Sequence, residues 1–305
     1  MNKLRHMAIL SVAAVLCAAF FATLVLSGCS LERHWNNIVN SSDPELRPYW
    51  VHWSFASSPD KRKPPFGDAI KGGKSNIPQM LKAVQWDIVT IQQASYASWN
   101  EKTYQPYADN LIAKIKDLAP QAEIRIQQTW AYCNASECIC GDATPGKPGT
   151  FGVNQKEMHD RLTAAYNKLA EKHHLKVIPS GDAVCLYRKE LPVSFEPPTN
   201  EQLTVLKDGE LPDMGGEPVG AYHWGKGPAW NKGAKDNDIY KLRCDAVHLN
   251  KEGEYLQACT WLAALFDDDL SGLAYRPGFL TEEKAKIMRK CAVEAVSARK
   301  LANDK

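Results

Sequence analysis

A chain of 305 residues, 44% hydrophobic and 24% charged, has globular composition and is long enough for one well-buried core. Its 37 basic and 35 acidic residues are spread along the chain and leave a net charge of +2, which offers no field to a polyanion. No nucleic-acid partner is expected.

At the N-terminus, Lys3, Arg5 and His6 precede an uncharged apolar stretch from Met7 to Leu26, followed by Ser27-Gly28-Cys29. Residues 1–28 have the outline of a leader peptide. The ending Leu26-Ser27-Gly28-Cys29 resembles the lipobox of bacterial lipoproteins, which implies a lipid on Cys29 and tethering to a membrane. An uncleaved membrane anchor is the alternative, since roughly 20 apolar residues span a bilayer. Either places the remainder outside the cytoplasm, in the bacterial cell envelope. Setting aside Cys17 and Cys29 leaves seven cysteines: Cys133, Cys138, Cys140, Cys185, Cys244, Cys259 and Cys291. An oxidising envelope makes disulfides the expectation. The cluster at Cys133, Cys138 and Cys140 has the spacing of a metal knuckle but lacks a second pair and an adjacent histidine. Neither a metal nor a cofactor is expected.

After an exposed Pro- and Lys-rich loop around Pro59 to Pro65, regular structure is expected from Pro78, with a helix over 79–84. Asp87-Ile88-Val89-Thr90-Ile91 is short, β-branched and apolar on both faces, which suits a buried parallel strand. Tyr107, Leu111, Ile112, Ile115 and Leu118 give a helix over 104–118, ended by Pro120. A strand at 122–126, a Cys- and Gly-rich loop at 131–152, a helix at 154–172 and a strand at 175–178 follow. Strand and helix alternate, predicting a three-layer α/β/α sandwich with a mainly parallel sheet. One domain is expected over 29–270, with an irregular insertion at about 190–240 that shows neither strand nor helix period, as a lid or binding loop would. Helices are predicted over 252–265 and 281–302, the second within a C-terminal extension at 271–305.

The sharpest local signal is Cys244-Asp245-Ala246-Val247-His248-Leu249-Asn250, followed by Glu252-Gly253 and a helix. A carboxylate three residues before a histidine, on a turn opening a helix, can hold one ring nitrogen while the other serves as base. The segment Asp245-Ala246-Val247-His248 with Gly253-Glu254-Tyr255-Leu256 resembles the last block of the SGNH (GDSL-type) hydrolases. Gly28-Cys29-Ser30-Leu31-Glu32-Arg33-His34-Trp35, Trp86 to Ser95, Gln128-Thr129-Trp130-Ala131-Tyr132 and Ile178-Pro179-Ser180-Gly181 resemble, in order, an uncharacterised SGNH-like bacterial domain family.

This resemblance implies that His248 is a general base and Asp245 its orienter, and that Gln92 and Gln93 stand where an amide would serve an oxyanion hole. Hydrogen bonding to loop backbone is the plainer role for both glutamines. For Trp130 and Tyr132 the choice is between core packing and a sugar-stacking platform. His34 and the His223-Trp224 pair are further substrate-contact candidates, and His173-His174 at a helix end suits solvated charge. Members of the family begin with a strand ending in a Gly-Asn-Ser-Phe or Gly-Asp-Ser-like motif that holds the nucleophile. No such motif stands here, and cleavage before Cys29 would also remove Gly28, which matches the family's second block. Ser30, Ser54 and Ser95 are the substitutes considered, and the nucleophile stays unassigned. Two readings result: a serine esterase or deacylase of the envelope acting on acylated carbohydrate, or a glycan-binding lipoprotein without catalysis.

Overall fold

The computed structural model describes residues 7–10, 51–54, 78, 81–82, 85–134, 153–226 and 238–303. Five strands form a parallel sheet: β1 (Met7–Leu10), β2 (Val51–Ser54), β3 (Ile88–Ile91), β4 (Glu123–Gln127) and β5 (Lys176–Ile178), in the spatial order β2-β1-β3-β4-β5. Every pairing within it is parallel, with Ile88 opposite Glu123 and Ile126 opposite Val177. The helices are α1 (Tyr107–Leu118), α2 (Gln155–His173), α3 (Ser180–Glu190), α4 (Asn200–Thr204), α5 (Lys251–Phe266) and α6 (Glu282–Asn303). A separate antiparallel ribbon joins β6 (Val219–Gly225) to β7 (Lys241–Leu249).

Strand alternation divides the core into two layers. Val89, Ile91, Ile124 and Ile126 meet Ile112 and Ile115 of α1 and Leu162 and Tyr166 of α2 on one side. Ile88 and Ile178 look the other way, toward Val184 and Tyr187 of α3, Leu256 and Trp261 of α5, and Met288 and Ala292 of α6. Arg125, between Ile124 and Ile126, follows the same rule: its guanidinium donates to the carbonyl of Ala264 on α5 at 2.7 Å. The α/β sandwich with a parallel sheet expected from the sequence is therefore the fold found.

Strands β3, β4 and β5 and helices α1, α2, α5 and α6 fall within three residues of their predicted bounds. Helical backbone at Pro78, Leu81 and Lys82 marks the helix expected at 79–84, most of which lies outside the described residues. Two expectations are corrected. The stretch at 190–240 contains α4 and β6; its Thr199 forms a full capping box with Gln202, and β6 has a partner only because β7 lies alongside it. The Asp245–His248 segment lies inside β7, not on a turn. Met7–Leu10, at the start of the run read as a leader, forms the strand between β2 and β3. Among the described residues there is also no disulfide, against the expectation from the envelope setting. Burial pushes the thiols of Cys259 and Cys291 up to about 12, so both stay protonated and inert. No helix among the described residues is long and apolar enough to cross a membrane.

Helix α3 was not predicted. Its buried positions include Gly181, whose Cα approaches β4's exit so closely that an added Cβ would stand 2.1 Å from the carbonyl oxygen of Thr129. A backbone oxygen cannot yield as a side chain does. Gly181→Ala, which should favour an isolated helix, is expected to destabilise this one by about 2 kcal/mol, measured as a fall in urea midpoint at unchanged slope.

Candidate active site

The ordinary strand period would put residues three apart on opposite faces. Asp245 and His248 nevertheless meet: His248 Nδ1 lies 2.7 Å from Asp245 Oδ2. The other carboxylate oxygen, Oδ1, accepts from the backbone N–H groups of Val247 at 2.9 Å and His248 at 3.1 Å. That local closure curls the end of β7 and turns the imidazole back onto the carboxylate. The partner strand accommodates the curl through a register irregularity between Val219 and Ala221, with Gly220 at φ +91°. A Cβ on Gly220 would lie 2.6 Å from the carbonyl of Asp245.

An ionised carboxylate can only accept, so Nδ1 carries the shared proton and Nε2 is the ring nitrogen with a lone pair in this tautomer. Burial works against the Asp245 charge. The hydrogen bond and charge of His248 and the two backbone N–H groups outweigh it and hold the carboxyl down to about 2.

The loop leaving β4, itself tied to the loop leaving β3, locks the end of β7 to the carboxyl edge of the parallel sheet. Trp130, on the loop leaving β4, donates its indole N–H to the carbonyl of Val247 at 2.8 Å. Cys133 N–H donates to the carbonyl of Ala246 at 2.9 Å. Between them, Tyr132 donates its hydroxyl to Ser95 Oγ at 2.9 Å, which brings in the loop leaving β3. Beyond His248, Asn250 caps α5 by accepting from Glu252 and Gly253 N–H, while its amide donates to the carbonyls of Glu217 at 2.6 Å and Gly220 at 3.0 Å. Gly253 lets Pro218 approach: a Cβ there would sit 2.1 Å from the Pro218 carbonyl oxygen.

These contacts sort the predicted residues. Asp245 and His248 come together as expected. Gln93 takes the plainer role, its amide donating to Thr103 and its carbonyl accepting from Ala94 N–H, so it is committed to holding the loop after β3. Gln92 is half-buried at the end of β3 and lines a cavity of about 20 Å³ with Ile91, Tyr104, Leu111 and Tyr166. That space admits about one water and is too small for a sugar or an acyl chain. Trp130 and Tyr132 are buried, which excludes them as an exposed stacking platform. His173 is packed against Asp109 of α1 at 2.6 Å and is not freely solvated. His223 is exposed on β6, and Trp224 stacks on Tyr240 while donating to the Glu210 carbonyl. His34, Ser30 and Cys29 lie outside the described residues, as do Cys138 and Cys140. Among the described residues no group of three or more His, Cys, Asp or Glu side chains is placed to hold a metal ion.

Sequence reasoning passed over Arg188, Glu217 and Asn250. Only Asn250 left a signal, as an Asn directly before a helical pattern.

Compared with solved structures, the chain is similar to a DUF4886 family protein from Bacteroides uniformis, at 21% identity and a TM-score of 0.53, covering 98% of this chain and 96% of that one. It also matches a protein assigned as an SGNH hydrolase from Slackia heliotrinireducens, at 12% identity and a TM-score of 0.40, covering 84% and 95%. A third match is the periplasmic domain of a lipopolysaccharide acetyltransferase from Salmonella Paratyphi A, at 15% identity and a TM-score of 0.40, covering 88% and 85%. No protein-family model matches the chain, and no curated protein sequence does. At 21% identity the likeness to the DUF4886 family protein speaks for the fold alone.

The depressed Asp245 pKa has a consequence for stability. The folded protein keeps this carboxylate charged where the unfolded chain already binds a proton, so its contribution is complete above about pH 4 and is lost as pH falls toward 2. The thermal midpoints of wild type and Asp245→Asn are expected to differ at pH 7 and to converge by pH 2 in a scanning calorimetry series.

Proposed function

We propose that the protein is an SGNH-like serine esterase or deacylase in which His248 is the general base and Asp245 holds it. The observation that carries this reading is the 2.7 Å Nδ1–Oδ2 contact, with the second carboxylate oxygen fixed by two backbone amides. Such an arrangement fixes the tautomer and ring plane and stabilises the imidazolium that forms when the base takes a proton. In the reaction, a serine Oγ attacks the ester carbonyl carbon as His248 Nε2 takes the hydroxyl proton. The proton passes to the departing alcohol, and water, deprotonated by the same nitrogen, releases the acid and restores the serine.

The sheet order supports a choice of nucleophile. The chain leaves β1 toward β2 on one side and returns to β3 on the other, so the crevice at the carboxyl ends of β1 and β3 is the topological switch point where open α/β sheets bind ligands. Gln92 follows β3, and Ser11 is the next residue in the sequence after Leu10 at the end of β1. Ser11 is the serine we assign. The substrate class we assign is an acylated carbohydrate, supported by the 190–240 stretch with its Trp224 and Trp230.

One observation favours the second reading, a glycan-binding lipoprotein. Cleavage before Cys29 would take β1 and Ser11 away with the leader, leaving His248 with no nucleophile there. Hydrolysis of 4-nitrophenyl acetate by the full chain separates the two. Under the esterase reading, Ser11→Ala, His248→Ala and Asp245→Asn each lose about 10²- to 10⁴-fold in kcat/KM. Absent turnover from the folded full chain would discard that reading, and a mature mass beginning at lipidated Cys29 would support the binder.

A further inference from the structure

We infer that Arg188 is a positioning residue for the His248 base, acting through Glu217 and Asn250; this rests on the esterase reading above. The Arg188 side chain is 12% exposed and that of Glu217 3%. Arg188 Nε lies 3.0 and 3.1 Å from the two Glu217 carboxylate oxygens, and one terminal nitrogen lies 2.5 Å from Oε1. That terminal nitrogen also donates to the carbonyls of Ala131 at 3.0 Å and Tyr132 at 3.4 Å. One guanidinium thus joins the loop leaving β4 to the segment entering β6.

Both of those segments hold the strand that carries the dyad. On the first side, the Ala131–Tyr132 carbonyls lie between Trp130 and Cys133, which bond to Val247 and Ala246. On the second side, Glu217 Oε1 accepts from Val219 N–H at 3.1 Å, and the Glu217 carbonyl accepts the Asn250 amide two residues beyond His248. Asn250 N–H in turn donates to Pro218. The imidazole is therefore gripped from before and after in the chain, and Arg188 is bonded to both grips. A planar fork of five donors can bridge a carboxylate and two carbonyls at once; a lysine ammonium keeps the charge but not the geometry.

Two variants of the full chain, Arg188→Lys and Arg188→Gln, test this beside Ile115→Ala, a core deletion under α1 that supplies a destabilised control. Proton NMR of the His248 ring reads the base directly, through the downfield Nδ1–H resonance of an imidazole bonded to a carboxylate. The expected result is that this resonance broadens or disappears in Arg188→Gln and weakens in Arg188→Lys while surviving in Ile115→Ala. The kcat for 4-nitrophenyl acetate, well below each midpoint, should fall about tenfold to a hundredfold in Arg188→Gln with little change in KM. If Arg188→Gln does not fold, Arg188→Lys decides by the same readings. Wild-type resonance and kcat in both folded Arg188 variants, with only the melting temperature lowered, would overturn the inference. A wild-type chain without esterase turnover defeats the functional reading separately, and the resonance then still judges the role of Arg188.

Discussion

The buried ion pair between Arg188 and Glu217 is the constraint on which the candidate site depends. Removing one partner of such a pair leaves an unpaired charge in a low-dielectric interior, at a cost of about 3–5 kcal/mol, whereas replacing both by apolar groups is often neutral. Its net contribution to stability is therefore modest, and its consequence is geometric. Helix α3 is packed on α5 and α6 and anchored at its start by the contact of Gly181 with Thr129, so the guanidinium is presented from a fixed platform. From there it determines where the loop after β4 and the entry to β6 can run.

The β6–β7 ribbon has no place in the parallel sheet, and its position comes from these tethers together with Val219, Tyr222, Ala246 and Leu249, which it buries in the core. A free two-stranded ribbon is marginal in water. This one is held by Trp130 and Cys133 along β7 and by Glu217 and Asn250 at its base, and the Asp245–His248 pair sits at that tethered end. The far end, around Trp224 and Tyr240, is fastened more lightly through an aromatic stack and the Glu210 carbonyl. The dyad thus occupies the stiffest part of an element that would otherwise move, as a base requires if its nitrogen is to stay aligned with a nucleophile.

How much was legible in the sequence follows from which interactions are local. Ile88 to Ile91 and the 3.6-residue spacing of Met158, Leu162, Tyr166 and Leu169 announce their elements because burial on a sheet or helix face writes its own period. Helix α3 was missed because the first turns of its inward face are Ser180, Gly181, Ala183 and Val184, small residues demanded by close approach, which leaves Tyr187 as the one large apolar side chain buried there. Ribbon β6–β7 was missed because Gly220, His223 and Trp224 satisfy a bulge and a cross-strand partner that lies about 20 residues on. Asp245 and His248 were found, but their spacing suggested a turn; the same i, i+3 contact is made inside a strand by an aspartate that bends its own backbone. Gln93 kept two roles open because a buried amide looks alike in sequence whether it faces a substrate or a loop carbonyl.

The N-terminal run shows the same ambiguity at its sharpest. Met7–Leu10 pairs with β2 on one side and β3 on the other, and without it the backbone groups along that edge of β3 would lose their partners and β2 would be cut off from the sheet. An apolar segment suits a buried parallel strand and a leader equally well, since both are selected for the absence of charge. The two uses exclude each other in one molecule: a chain processed before Cys29 has no β1, while a chain that keeps β1 keeps Gly28 and Ser11 with it. Whether His248 faces a nucleophile is thus tied to the integrity of the sheet, because the strand that closes the sheet between β2 and β3 is the one whose carboxyl end leads into Ser11.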